Sequence, residues 1–119
     1  MANVRDRLIL LPRFSTLAGA GDFTTQAINV SAYEGADVSV WMGRMVGAGG
    51  SATATVQEST DQAVWVTCAG TSEVALSDNS EQTLTPTFAR PWMRLKVNLA
   101  GTAPVMTCYA VGYLEKRRA

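Results

Sequence analysis

Apolar and other residues alternate along several short segments of the chain, which is the pattern of β-strands with one buried face. Within residues 37–44, Val38, Val40 and Met42 occupy every second position. Within residues 92–99 the alternation is complete, and two sets of residues face opposite ways. One set is apolar (Met93, Leu95, Val97, Leu99), and the other is mostly polar (Trp92, Arg94, Lys96, Asn98). We therefore predict two strands with their apolar sets buried.

Further runs predict more strands at residues 26–30, 52–59, 64–68, 84–88 and 105–114, with weaker candidates at 7–11 and 73–76. Segments rich in Gly, Ser and Pro separate the runs at 18–22, 47–51, 77–80, 90–91 and 100–104. The segment at 47–51 is predicted to be a flexible hairpin loop. No helical periodicity is convincing over 11 or more residues. These features predict an all-β, single-domain antiparallel β-sandwich, jelly-roll-like, with about eight short strands.

The charges are distributed unevenly although the 119-residue chain has no net charge. Residues 1–13 carry a net charge of +2, residues 14–89 of −7 and residues 90–119 of +5. We expect a basic N-terminal arm or edge strand at 1–13, a sandwich domain at 14–114 and a basic tail at 115–119. The basic ends either neutralise the acidic middle of the same chain, bind an acidic neighbouring protein, or contact nucleic acid. The balanced total charge and the short basic tail favour no nucleic acid or membrane partner.

The chain has no histidine, which excludes Ser/His/Asp and Cys/His catalysis. We expect no enzyme activity, no catalytic or metal-binding residues and no cofactor. The nearby carboxylates Glu58 and Asp61 suggest a turn capped by Asp61 rather than a calcium or acid/base site. The longest apolar run has four residues, so we expect no signal peptide and folding in a reducing cytoplasm. Cys68 and Cys108 are then expected to be free, buried thiols.

The tryptophans and the terminal arginines are the candidate functional residues. Trp65 is expected to close one end of the core, whereas Trp92 lies on the polar side of its strand and is a candidate interface residue. The candidate protein interface comprises Arg5, Arg7, Arg13, Trp92, Arg94, Arg117 and Arg118.

Three segments together resemble a known group of proteins. They are Tyr33-Glu34-Gly35, residues 52–65 (ATATVQESTDQAVW) and residues 91–104 (PWMRLKVNLAGTAP). They resemble small structural proteins encoded beside capsid genes in tailed bacteriophages and phage-like particles. In those proteins a "tVtlQeS" strand leads to "D-(small)-x-W", and a later "yvRlk" strand ends in "l-x-G-t-x-P". The turn departs from that pattern, because Asp61-Gln62-Ala63 replaces the usual Asp-Gly and so predicts a wider turn.

The resemblance implies a β-sandwich virion protein that decorates or cements the capsid exterior and is made in the host cytoplasm. Its implied partners are the major capsid protein and copies of itself, as a dimer or trimer. Two alternatives remain open. One is a head–tail or tail component. The other is a carbohydrate-binding β-sandwich module that presents Trp41 or Trp92 to a glycan, since a "QxSxDxxxW…R" arrangement also occurs in discoidin-like and other carbohydrate-binding sandwiches.

Overall fold

The computed structural model describes residues 5–117, which form nine strands and no helix, hence none that could cross a membrane. All strand pairs are antiparallel, and the predicted all-β sandwich is confirmed as one curled sheet. The strands are β1 (Arg5–Ala18), β2 (Gly21–Thr24), β3 (Ile28–Asn29), β4 (Tyr33–Met42), β5 (Val46–Ser59), β6 (Val66–Thr67), β7 (Val74–Leu76), β8 (Ser80–Leu84) and β9 (Trp92–Lys116).

The last strand, β9, bends back on itself and so contributes to both layers of the fold. Its 25 residues would span about 80 Å if straight, but the longest dimension of the molecule is 50 Å. Residues 30–32 join the two ends of the strand. The Val30 N–H donates to the Pro91 carbonyl (2.6 Å), and the Arg117 N–H donates to the Ala32 carbonyl (2.9 Å). The two halves of β9 therefore meet at one end of the molecule and turn at the other.

The neighbours of β9 follow the same path on each side. In the first layer, residues 92–100 lie between β2 and β3 on one side and β5 on the other, with β6 and β7 beyond β5. In the second layer, residues 105–116 lie between β1 and β4, with β8 beyond β4. The Gly43 N–H donates to the Thr107 carbonyl (2.9 Å) between β4 and β5, so pairing with β9 continues through the turn.

Two of the glycine segments predicted to interrupt the strands lie inside them. Residues 47–51 belong to β5 and residues 100–104 to β9, so the predicted hairpin loop at 47–51 is wrong. Gly47 and Gly101 have positive φ angles (125° and 116°). A Cβ atom at Gly101 would lie 2.8 Å from the Gly50 Cα. Glycine here allows two paired backbones to approach and bend together instead of ending the pairing.

The core lies between the layers and is built from alternate positions, as predicted. On β9 the odd-numbered residues from Met93 to Leu99 are buried, whereas beyond the bend the even-numbered ones from Met106 to Leu114 are buried. The irregular segment between them shifts the alternation by one residue. The predicted burial of alternate residues on β4 is also confirmed, with Val38, Val40 and Met42 at most 2% exposed.

The N-terminal basic segment is part of the sheet over its described residues. Strand β1 pairs with residues 105–115 of β9, and Leu10 contributes to the core. Pro12 lies at a register shift between Leu11 and Ser15, on an edge strand where a residue without an N–H is tolerated. Of the two possibilities left open by the sequence, the structure has the strand rather than the extended arm over residues 5–18.

The bend generates a stability prediction. Gly101→Ala should lower the free energy of unfolding by about 3 kcal/mol, because it adds a backbone clash to an unfavourable φ. Gly49→Ala is the matched control. Gly49 also has a positive φ (64°), but nothing lies within 4 Å of the added methyl, so the cost should be about 1 kcal/mol. Urea unfolding of the three proteins measures both values. Equal losses for the two variants would contradict the close approach of the two backbones.

Candidate protein interface

The outer surface of the first layer brings together two of the three tryptophans. We call it the tryptophan face; its members are Gln57, Trp65, Trp92, Arg94, Lys96 and Asn98. Residues 92, 94, 96 and 98 of β9 are half-buried and point away from the core. Each lies opposite a residue of β5, with Arg94 paired to Gln57 and Asn98 to Thr53. Asn98 also donates through its side-chain amide to Asp22 (2.8 Å) on β2.

Arg94 lies at the centre of this face between an amide and an aromatic ring. Its Nε donates to Gln57 Oε1 (2.9 Å), and its guanidinium carbon is 4.3 Å from the centre of the Trp65 ring. A cation over a tryptophan ring is attractive and fixes the orientation of both groups. Burial lowers the pKa of Arg94, although the guanidinium remains charged at any physiological pH. The arrangement presents a fixed cation beside Trp92.

Trp65 does not lie in the core, so its predicted role in closing the core is wrong. It directly precedes β6, whose Thr67 pairs with Gln57. Because alternate residues share a face, Trp65 points the same way as Thr67 and Gln57, which is outwards. Its indole N–H donates to the Gln62 carbonyl (3.2 Å). A tryptophan that follows a turn can point either into the core or to the surface. Because β6 has only two residues, the sequence shows no alternation that would decide between them.

Asp61 caps the turn before Trp65, which confirms the structural interpretation of this carboxylate. Asp61 Oδ1 accepts from the backbone N–H groups of Ala63 (2.9 Å) and Val64 (3.0 Å), and from the Ser59 hydroxyl (3.1 Å). These hydrogen bonds to the ionised form lower the pKa of Asp61. Gln62 adopts a positive φ of 64°, consistent with the wider turn expected when Asp-Gly is absent.

Glu58 is a buried carboxylate that sequence reasoning did not place in the core. It is 1% exposed, and three donors satisfy it. Its Oε1 accepts from the backbone N–H groups of Ala89 (2.8 Å) and Arg90 (3.1 Å), and its Oε2 accepts from Arg90 Nη1 (2.8 Å). A buried charge is tolerated when it is paired and hydrogen-bonded in this way. Glu58 therefore ties β5 to the segment that leads into β9, with a structural role.

The outer surface of the second layer is more apolar. We call it the tyrosine face; its members are Arg7, Ile9, Asp37, Ser39, Trp41, Glu81, Tyr109, Val111 and Tyr113. Ile9 is 53% and Tyr113 40% exposed, whereas Val111 is only 4% exposed although it lies outside the core cluster. Arg7 Nη2 donates to the Tyr109 hydroxyl (3.2 Å), and this hydrogen bond raises the pKa of Arg7. Arg7, from the predicted interface, thus lies across an apolar surface.

The predicted interface residues do not form one patch. Trp92 and Arg94 are on the tryptophan face, and Arg7 is on the tyrosine face. Arg117 is at the end where the halves of β9 meet, and its Nε donates to the Ser31 carbonyl (3.0 Å). The backbones of Arg5 and Arg13 lie in β1, opposite Glu115 for Arg5, while their side chains and all of Arg118 lie outside what the structure describes.

The two cysteines are free and buried, as predicted. Burial raises the pKa of Cys68 to about 12 and that of Cys108 to about 11. Within residues 5–117, His, Cys, Asp and Glu residues form no group of three or more that is arranged to hold a metal ion.

The buried carboxylate should be required for stability. Glu58→Gln should lower the free energy of unfolding by about 2 kcal/mol, because its amide group would replace a charged acceptor facing Arg90. The exposed Glu81 provides a control, and Glu81→Gln should change stability by less than about 0.5 kcal/mol. Denaturant unfolding compares them. An unchanged midpoint for Glu58→Gln would contradict the structural role of this carboxylate.

The thiols should make the fold sensitive to alkaline pH. Both folded-state pKa values are raised, so their contribution is complete below about pH 8.5, where unfolded thiols titrate. It is lost as the pH rises towards 11 to 12, by about 1.4 kcal/mol per pH unit for each thiol. Unfolding free energies from pH 7 to 10.5 test this. The Cys68→Ala/Cys108→Ala protein is the control and should have the shallower slope; equal slopes would contradict the assignment.

Solved structures with the same fold include viral and appendage proteins. The PBSX exported protein XepA is 13% identical, with a TM-score of 0.72 over 96% of this chain and 38% of that chain. A chain of infectious bursal disease virus, Gx strain, is 10% identical, with a TM-score of 0.61 over 95% of this chain and 32% of that chain. A chain of Bacillus endospore appendages, described as disulfide-linked pili, is 15% identical, with a TM-score of 0.52 over 93% and 87%.

This chain therefore spans less than two fifths of the first two proteins. No protein-family model matches the sequence, and no curated protein matches it. At these identities the likeness shows the fold alone, a β-fold shared with viral and other structural proteins, and assigns no family.

Proposed function

We propose that the chain is a non-enzymatic structural protein of a phage-like particle, which decorates or cements the capsid exterior through protein contacts. Its partners are the major capsid protein and copies of itself, and its place is the capsid surface after synthesis in the host cytoplasm. The observation that carries the proposal is the correspondence of nearly the whole chain with folds in a virus structure and in a PBSX exported protein. The phage-like sequence segments lie on β4, β5 and β9, the strands that build this fold.

The tryptophan face supplies a surface suited to docking on an acidic protein. It combines the half-buried ring of Trp92 with the fixed cation of Arg94 and with Lys96 on the same strand. Tryptophan and arginine are the residue types that contribute most often to binding energy at protein interfaces. Arg94 is already held by Gln57 and Trp65. Little side-chain entropy is therefore lost when it meets a carboxylate.

The basic N-terminal segment belongs to the folded sheet and cannot be tested as if it were an extended binding arm. Removal of residues 1–13 would delete much of β1 together with Leu10 of the core. Such a truncation would test folding rather than binding. Single charge reversals on the faces leave the strands intact, and they are the appropriate variants for a binding experiment.

A carbohydrate-binding function is the second candidate, and one observation favours it. Trp65 and Trp92 lie on the same face as the hydrogen-bonding side chains of Gln57 and Asn98, and flat rings beside polar groups suit sugars. One side of the Trp65 ring is occupied by Arg94, however, so Trp92 is the ring left to stack on a glycan.

Binding to particles tests the proposed function. Purified chain is mixed with particles from its own source from which the native copies have been removed, and sedimented at increasing concentrations. We expect saturable binding that Arg94→Glu weakens by at least about tenfold, which corresponds to about 1.4 kcal/mol for one charged contact. Arg44→Glu, a charge reversal at the exposed turn between β4 and β5, is the matched control and should bind normally.

Absence of binding, or absence of the chain from intact particles by mass spectrometry, would contradict a capsid-surface role. Quenching of tryptophan fluorescence by oligosaccharides, lost in Trp92→Ala, would instead support the glycan-binding alternative.

A further inference from the structure

The tyrosine face has a regular arrangement of charge around an apolar centre. The register of the strands places its members in three rows across the second layer. The first row is Arg7, Tyr113 and Asp37, and the second is Ile9, Val111 and Ser39. The third row is Tyr109, Trp41 and Glu81. The cation thus lies on β1 at one edge, and the carboxylates lie on β4 and β8 towards the other edge.

The apolar centre is partly covered by the arginine itself. Arg7 is in the first row, but its guanidinium reaches Tyr109 in the third row (3.2 Å). The two side chains therefore meet across the second row, where Val111 is 4% exposed. Ile9 and Tyr113 remain exposed at 53% and 40%. Large apolar side chains concentrated on one sheet face are uncommon on surfaces that meet only water.

We propose that the tyrosine face binds a second copy of this chain, giving a face-to-face dimer whose twofold axis runs parallel to the strands. Such an axis places β1 of one copy over β8 of the other, and β9 over β4. The Arg7 guanidinium, which extends from the first row towards the third, then faces the strand that carries Glu81 of the second copy, and Tyr109 faces Trp41 of the second copy. Each contact occurs twice, as it does in any twofold interface.

The charge distribution selects this axis over the other in-plane twofold. An axis perpendicular to the strands would place β1 over β1 and β4 over β4. It would bring together the strands that carry Arg7 in the two copies, and likewise the strands that carry Asp37 and Glu81. Like charges that face each other oppose association, whereas the parallel axis pairs the cation with carboxylates.

The size of the face agrees with a weak dimer. Four strands about 4.8 Å apart and three rows about 6.8 Å apart give a flat area of about 400 Å². A standard stable interface buries roughly 800 Å² on each partner. We therefore expect a dimer dissociation constant in the micromolar range, so that self-association becomes evident only in a concentration series.

A charge-reversal exchange tests the proposal. Sedimentation equilibrium of the full chain should show a monomer–dimer equilibrium. Arg7→Glu alone and Glu81→Arg alone should each raise the dissociation constant by at least about tenfold, and the double variant should return it to within about threefold. Ile9→Asp, which leaves Arg7 in place, should abolish the dimer. Lys96→Glu on the tryptophan face is the control and should dimerise normally.

A strict monomer at concentrations up to roughly 1 mM would overturn the proposal. A dimer insensitive to Ile9→Asp would also overturn it, because association would then use another surface. If the double variant does not regain dimerisation, the parallel axis is overturned. Thermal unfolding of each variant confirms that the fold is retained.

This inference rests on the self-association part of the proposed function and not on the capsid. A chain that dimerises without binding particles contradicts only the capsid role, and one that binds particles as a monomer contradicts only the dimer.

Discussion

The fold depends on the bend in the middle of β9. This single strand lies at the centre of both layers. Its two ends come together because the residues next to them, Pro91 and Arg117, both hydrogen-bond to the turn at 30–32. The two flanking ribbons, β1 to β3 on one side and β4 with β5 on the other, must therefore bend at the same level. They do so at Gly19 and Gly21 and at the segment 43–50, while β9 itself bends at Gly101. Where all three backbones turn together, close approach leaves no room for side chains at Gly47 and Gly101.

The bend also determines which residues reach the surface. Between Leu99 and Met106 the alternation shifts by one position, so even-numbered residues point outward before the bend and odd-numbered ones after it. Trp92 and Arg94 consequently belong to the outer face of one layer, and Tyr109 and Tyr113 to that of the other. One strand thus supplies the central residues of two faces that point in opposite directions, and their different composition follows from the sequence on either side of the bend.

Period-two alternation predicted most of the strands and their buried sets, because burial of one face leaves a direct record in the sequence. It missed β2 and β8, and the strand predicted at 84–88 is limited to Leu84 and an isolated bridge at Thr87. It predicted Val38, Val40 and Met42 on β4 and the four apolar residues at the start of β9. The pattern did not predict the bend in β5 and β9, because Gly and Pro residues are found at a bend within paired strands as readily as in a loop. Glu58 continues the alternation of Ala52, Ala54 and Val56, so its position in the strand indicates a buried side chain. Its charge argues against burial unless partners are known. Those partners are not evident from the sequence, because Arg90 is distant along the chain and the other donors are backbone groups.

The two outer faces have different geometric consequences for assembly. The molecule is 20 Å thin in its shortest dimension, and a face-to-face dimer through the tyrosine face would stack four layers about 10 Å apart. The two tryptophan faces would then lie on opposite outer sides, related by the twofold axis. If the tryptophan faces bind acidic protein as proposed, a dimer of this shape would bridge two such surfaces rather than lie flat on one. Binding at one side raises the effective concentration of the other side near its own target, so two weak contacts act together. This geometry favours cementing between neighbouring subunits over simple coating of a surface.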